Sequence, residues 1–513
     1  MNALRAGLAV AVVGAAGGAA AFGVGCGHSN SAAADAGTAS RDFLLDPQNC
    51  GNCHINHYQD WLASAHANAS DDPVFVAMNQ RGQRETDGGL GAFCVKCHAP
   101  MAVLDQKTTD GLNLSTLDTK YHGVTCIFCH TAESVDTAHP YNANVTLSKD
   151  WATMRAELQN PAPVANPVHH SAYSTLQDKT SRDSAALCGT CHDILNPLGT
   201  HIERTFQEWH GSAYNADDDA GGETCAQCHM QPPAFRVLAP GGPPRPYAPH
   251  DFPAVDTPLV PDAAAQRAAV QKQFDDGAVR GALCVTPHGG IRVILDPFGV
   301  GHAWPSGSAQ DRRVWAEVIA FKQGNVIFQS GVVPDGTPVG TEPEANPDDL
   351  WLFRDVMFDS QCNQVNMFWQ AAKIGGNQLP AATTFNKSNP AFYGNHLLRE
   401  FPKSGFLSSD GSLVPDRVTL RIRVQPIGLD VLGDLVRTND LDAGIGSTMP
   451  TFDVPISGPG SKAMLEWTPE AASDAGLQSY PDPNDPNPGT TCVGYPGFIA
   501  GSSTPAPTPK CPQ

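Results

Sequence analysis

Five times in this chain two cysteines stand three positions apart with a histidine directly after the second: Cys50-Cys53-His54, Cys94-Cys97-His98, Cys126-Cys129-His130, Cys188-Cys191-His192 and Cys225-Cys228-His229. Two thiols at this spacing sit on one side of a tight turn. There they can add across the two vinyl groups of a porphyrin while the next imidazole reaches the iron from beneath. The pattern predicts five covalently attached c-type haems (iron), with the ten cysteines as attachment points and His54, His98, His130, His192 and His229 as proximal ligands. Cysteine pairs of this spacing also build tetrahedral zinc sites. Zinc, however, needs no histidine after every second cysteine, and the repetition here is complete.

Whether such irons carry electrons or do chemistry depends on their far side. A second imidazole closes the iron and suits it to electron exchange, whereas an open position admits a substrate. The chain has 18 histidines, so the thirteen outside the motifs exceed the five far-side positions. No motif replaces its histidine by lysine. Met230, directly after His229, is read as packing against the ring rather than as a ligand.

The runs CGNCHINHYQDWLASAHA (Cys50 to Ala67), GVTCIFCH (Gly123 to His130), ALCGTCHD (Ala186 to Asp193), ERTFQEWHGSAY (Glu203 to Tyr214) and ETCAQCHM (Glu223 to Met230) carry a resemblance. They are similar to the multihaem cytochromes c of the cytochrome c554 type, related to the tetrahaem partner of hydroxylamine oxidoreductase, over roughly residues 46 to 251. That resemblance implies a distal ligand at His66. It also implies His302, within GHAWPSG, and His250, within APHDFP. One further position is His169 or His170, with His170 preferred. The fifth is His139 or His122, with His139 placed first. His57, His201, His210, His288 and His396 are read as non-ligands, and His28 lies in a tether.

The first 25 residues hold one basic side chain, Arg5, and then an apolar Ala/Val/Gly stretch, the layout of an export signal. Cys26 resembles the acylated cysteine of bacterial lipoproteins; cleavage near Ala32 to Ala36 is the alternative. The expected location is the periplasm, the outer membrane or the cell surface of a bacterium. A polar tether (26–40) leads to a pentahaem region (41–230) read as loop-rich and mostly helical, with helices expected at His57–Asn68 and Asp150–Asn160. A Pro-rich connector follows (231–284), ending in a helix at Asp262–Gln273.

Alternating apolar residues at Gly290–Pro297, Arg313–Phe321, Asn325–Val332 and Arg417–Gln425 then predict a β-rich, sandwich-like domain (285–430). Residues 431–513 read as an irregular Pro-rich tail, tied by a disulfide between Cys492 and Cys511, with Cys284 and Cys362 left for a second bridge or as buried thiols. The fold class is thus α+β. Arg312 and Arg313 are read either as partners of haem propionates or as a sheet-surface pair. The run Asp217–Asp219 is read as a solvated loop.

A net charge of −20, from 52 acidic and 32 basic residues, excludes a nucleic-acid partner that needs a basic face. The expected function is electron transfer between other redox proteins through closely spaced, mostly bis-histidine haems. Two alternatives stand beside it. One is an oxidoreductase with one open haem acting on a small nitrogen or sulfur compound. The other is a subunit of a self-assembling cytochrome filament or outer-membrane conduit, with membrane anchorage through a lipidated Cys26.

Overall fold

The computed structural model describes residues 39–157, 168–216, 222–231, 235–240, 242–260, 263–340, 349–386, 388–405, 407–408, 410, 412–447, 449–456, 463–475, 489–495 and 510–512. The expected signal, Cys26, the tether up to residue 38, and Asp217–Asp219 lie outside these residues.

Between Ser40 and Met230 the chain forms short helices joined by turns and two-stranded ribbons. The longest helix there, Pro73–Glu85, starts cleanly because Pro73 needs no amide partner and the Asp72 side chain accepts from the amides of Val74 and Phe75. The helix at Ile55–Ala63 stops five residues before the end of the expected His57–Asn68 span. Buried Ser64 ends it, donating to the Trp61 carbonyl and accepting from the Ala67 amide. The loop released beyond it carries His66.

Asp150–Asn160 was expected to be helical from its apolar spacing, but the described part is a strand, Thr153–Ala156, paired in parallel with His170–Tyr173. A helix would engage the Arg155 carbonyl internally. Here that carbonyl instead accepts from His130 Nδ1 at 2.7 Å.

Beyond the helix Ala264–Asp275, two antiparallel sheets face each other. One has the order Leu397–Phe401, Ile291–Asp296, Arg280–Val285, Thr491–Gly494. The other centres on Arg313–Lys322 paired with Arg417–Gln425. Period-two alternation points Val314, Ala316, Val318 and Ala320, with Val418, Leu420, Ile422 and Val424, toward Leu283, Ile291, Val293 and Leu295 of the facing sheet. Trp351 and Phe401 fill the same core.

The expected irregular tail is corrected. Phe452–Val454 and Leu465–Trp467 pair with the Arg417–Gln425 strand, and Thr491–Gly494 with Arg280–Val285, so residues after 431 complete both sheets. These pieces are only three or four residues long and too short to show alternation by themselves. The sheet also begins earlier than residue 285, at Arg280. The disulfides join Cys284 to Cys492 and Cys362 to Cys511, not Cys492 to Cys511. Cross-strand register puts Cys284 directly opposite Cys492.

The helix Leu429–Arg437 binds the two parts together. Its Leu432 and Leu435 pack with Val74, Met78 and Trp369, and Asp434 pairs with Arg81 of the Pro73–Glu85 helix at 3.3 Å. No described helix is long and apolar enough to cross a membrane.

Candidate metal centres

Each of the five motifs is wound into one turn of helix or its edge. Backbone amides of His54, His98 and His192 bond the carbonyls of Cys50, Cys94 and Cys188. This four-residue step places the imidazole below the first thiol. The fifth motif has a full capping box, with Thr224 and Gln227 each satisfying the other's amide.

All ten motif cysteines and all five motif histidines line one cavity of about 2720 Å³. Contacts between motifs are close. The Cys50 thiol lies within hydrogen-bond reach of Cys126, Cys97 of Cys191, and Cys188 of Cys225. Burial pushes the Cys94, Cys129 and Cys228 thiols up to about 12. Among the described residues no group of three or more His, Cys, Asp or Glu side chains converges as a metal cluster. Three of the motif imidazoles instead have a second imidazole about 6 Å away.

Two imidazoles on opposite sides of one iron, each about 2 Å from it, place their ring centroids about 6 Å apart. His54 and His169 are 6.1 Å apart, His66 and His192 6.3 Å, and His130 and His250 6.3 Å with nearly parallel rings. His302 lines the same cavity and is electrostatically coupled to His229. The Nδ1 atoms face protein acceptors and so leave Nε2 for the metal. His54, His98, His130 and His229 bond the carbonyls of Leu238, Ala69, Arg155 and Pro253 at 2.7 to 3.0 Å. On the opposite side His169, His250 and His302 bond the carbonyls of His170, Ala248 and Ala303.

Burial favours the neutral imidazole that a metal requires. It pushes His66 and His250 down to about 3 and His229 to about 4. His192 differs. Burial alone would lower it, but a bond to the Glu203 carboxylate at 3.2 Å and that group's charge push it up to about 9.

Three of the five expected far-side residues, His66, His250 and His302, lie in the cavity. Two do not, and the expectation is corrected there. His139 is largely exposed, its side chain 60% accessible, and is held by Asp136. His170 is exposed as the first residue of its strand, pairing with Thr153, while its neighbour His169 turns inward to His54. His122, the alternative to His139, is tied to Asp71.

Sequence reasoning missed Glu203, whose signal was its place one hairpin after the fourth motif, and His57. The His57 ring packs against His250 and Tyr247 and stands 6.0 Å from His54, as near as His169 does, and burial pushes it down to about 4. The Pro-rich connector proves to be part of the cavity wall. Its extended backbone has carbonyls not used in regular structure, and Leu238 and Pro253 offer theirs to proximal imidazoles. Arg312 also lines the cavity, gripped by Asp256 through two 2.6 Å bonds, while fully buried Arg313 bonds Asp430 at 2.5 Å. Neither is a sheet-surface residue.

Residues 49–131, which contain the first three motifs, match the family described as cytochrome c554 and c-prime. That segment is similar to the multihaem cytochromes c of the c554 type. The fold is also that of a penta-heme cytochrome c552 from Thermochromatium tepidum, with a TM-score of 0.53 and 18% identity, covering 82% of this chain and 98% of that one. No curated protein matches. The likeness of residues 49–131 to that family and the shared fold both support a multihaem cytochrome.

Proposed function

We propose that the chain is an exported five-haem electron-transfer protein in which four irons are closed by the pairs His54/His169, His130/His250, His192/His66 and His229/His302. The carrying observation is the imidazole spacing of 6.1 to 6.3 Å across the common cavity for three of these pairs. Bound haem supplies one-electron exchange between the two oxidation states of iron. The chain's part is to hold two imidazoles opposite each other and to exclude substrate from between them.

The thiol contacts support an order for the centres. The first motif adjoins the third through Cys50 and Cys126, the second adjoins the fourth through Cys97 and Cys191, and the fourth adjoins the fifth through Cys188 and Cys225. Cys129 feels both Cys188 and Cys191, which links the third motif to the fourth. The fourth motif is thus the junction of the array. Export would follow from the leader at residues 1–25, with Cys26 as the acylation point of an anchored form.

A second reading is favoured by His98. Its ring is stacked on Phe75 at 4.1 Å, which occupies one face of the imidazole, and none of the three imidazole pairs at 6.1 to 6.3 Å includes it. The centre on His98 then keeps an exchangeable position, as an oxidoreductase acting on a small nitrogen or sulfur compound requires.

Mass determination and low-temperature EPR of the mature protein test both readings. Five covalent haems with four low-spin centres are expected. Fewer than five haems, or a majority of high-spin centres, overturns the first reading. Failure of nitric oxide to bind one haem per chain overturns the second.

A further inference from the structure

Four of the five proximal imidazoles lean on a neutral backbone carbonyl, and one leans on a charge. His192 Nδ1 faces Glu203 Oε1 at 3.2 Å. The placement is built into the chain. After the fourth motif, Ile194–Leu195 pairs with His201–Glu203 in a short antiparallel ribbon, with Ile194 opposite Glu203, so the carboxylate folds back beside the histidine it follows. The ribbon is held from outside as well: Asn142 bonds both the Leu195 amide and carbonyl, and Asn196 donates to the carbonyls of Phe368 and Ala371.

The Glu203 side chain is 10% exposed, so solvent screens its charge little. Arg312 is a nearby cation, since a side chain at Gly307 would meet both it and Glu203. Its terminal nitrogens are committed to Asp256, however, which leaves that pair close to neutral.

A carboxylate accepting from the back of a metal-bound imidazole makes the ring a stronger donor and favours the more positive metal. We propose that Glu203 is a positioning and tuning residue that makes the centre on His192 the lowest in potential of those backed by a single proximal imidazole bond. This rests on the reading of His192 as an iron ligand. Because the fourth motif adjoins the second and fifth and is electrostatically linked to the third, a low potential there makes the junction a barrier that electrons cross quickly rather than a place where they collect. The outer centres then hold the charge.

Glu203→Gln keeps an acceptor oxygen of the kind the other four histidines use and removes only the charge. In a spectroelectrochemical titration of the full haem-loaded chain, one of the component transitions should move upward by at least tenfold in its reduction equilibrium, about 59 mV for one electron. The other components should move by less. Glu203→Asp, which keeps the charge but withdraws it by one methylene, should give a smaller upward shift and serves if the first variant does not accumulate. No shift, a downward shift, or an equal shift of every component overturns the proposal. Low-spin EPR signals that persist in the variant show in that case that the ligand assignment stands while the tuning role does not.

Discussion

Arg313–Lys322 is a ten-residue strand, and most of it lies in register with Arg417–Gln425; among the described residues between Cys50 and His229, no strand is longer than four. The first region closes its own core. Its core is built mainly between the two sheets and is closed by the helix Ala264–Asp275, whose Val270 and Phe274 pack into it, and every strand of the sandwich finds a backbone partner. The second is a set of one-turn helices and ribbons arranged around a cavity, with its imidazoles and thiols turned inward. Apolar burial of roughly 25 cal/mol per Å² stabilises the first without help. The second has its largest potential contact surface facing the cavity, so its stability is tied to what fills that space. One chain thus uses two ways of becoming rigid.

The comparison breaks most severely if haem attachment is prevented. Chain made without attachment should lose all protection of residues 41 to 230 in limited proteolysis, while a fragment covering residues 280 to 494 persists; mass analysis of the protected fragments reads this directly. Equal loss of both regions would show that the sandwich depends on the haem region after all.

Next in size is the bridge from Cys284 to Cys492, which closes a loop across 208 positions. Replacing both by serine should lower the stability of the sandwich by up to about 5 kcal/mol on a chain-entropy reckoning, seen in denaturant unfolding followed by tryptophan fluorescence, with the haem absorbance unchanged before the transition.

His66→Ala should convert one low-spin iron to high spin and open one site to carbon monoxide, whereas His139→Ala should change neither spectrum. Equal effects would undo the ligand pairing.

The smallest effect concerns the seam. Burial pushes Asp311 up to about 7 from an ordinary value of 3.8. The unfolded chain then holds fewer protons than the folded one between these values, so stability falls as pH rises from about 4 to 7 and stays low above. Asp311→Asn should remove that loss, its advantage over the parent growing by at most about 1.4 kcal/mol per pH unit across the window and levelling above it, as measured by melting at a series of pH values.

The five motifs were legible because covalent chemistry fixes their spacing, and the strands at Ile291–Asp296, Arg313–Lys322, Asn325–Ser330 and Arg417–Gln425 because each is long enough to alternate. The closing strands after residue 450 were not, since a three-residue strand exists only through its neighbour. The candidate far-side histidines divided in the same way. His66, His250 and His302 sit in recognisable segments, but His169 and His170 are adjacent and differ only in which side of the backbone they leave. Nothing local distinguishes them; the parallel pairing with Thr153–Ala156 does. His139 failed as a candidate because Asp136, three residues away, satisfies it at the surface. Glu203 was invisible as a partner of His192 until the ribbon between them was known.

The proposed pairing of His66 with His192 has a consequence in time. His66 precedes His192 in the chain, so on export it would emerge first and wait for its motif. The Gly123 backbone helps keep it so: a side chain there would strike the carbonyls of His66 and Ala67, and the neighbouring Val124 amide bonds the His66 carbonyl at 2.8 Å. His54, His130 and His229 face the opposite situation, for their partners His169, His250 and His302 are made later. On this pairing, three centres begin half-coordinated and are completed only as later chain arrives, and the fifth must await His302, beyond the first two strands of the sandwich. A chain truncated before His302 would leave a reactive metal uncovered, so the late-made domain acts as the seal on a sequence of assembly steps that the early-made one cannot finish.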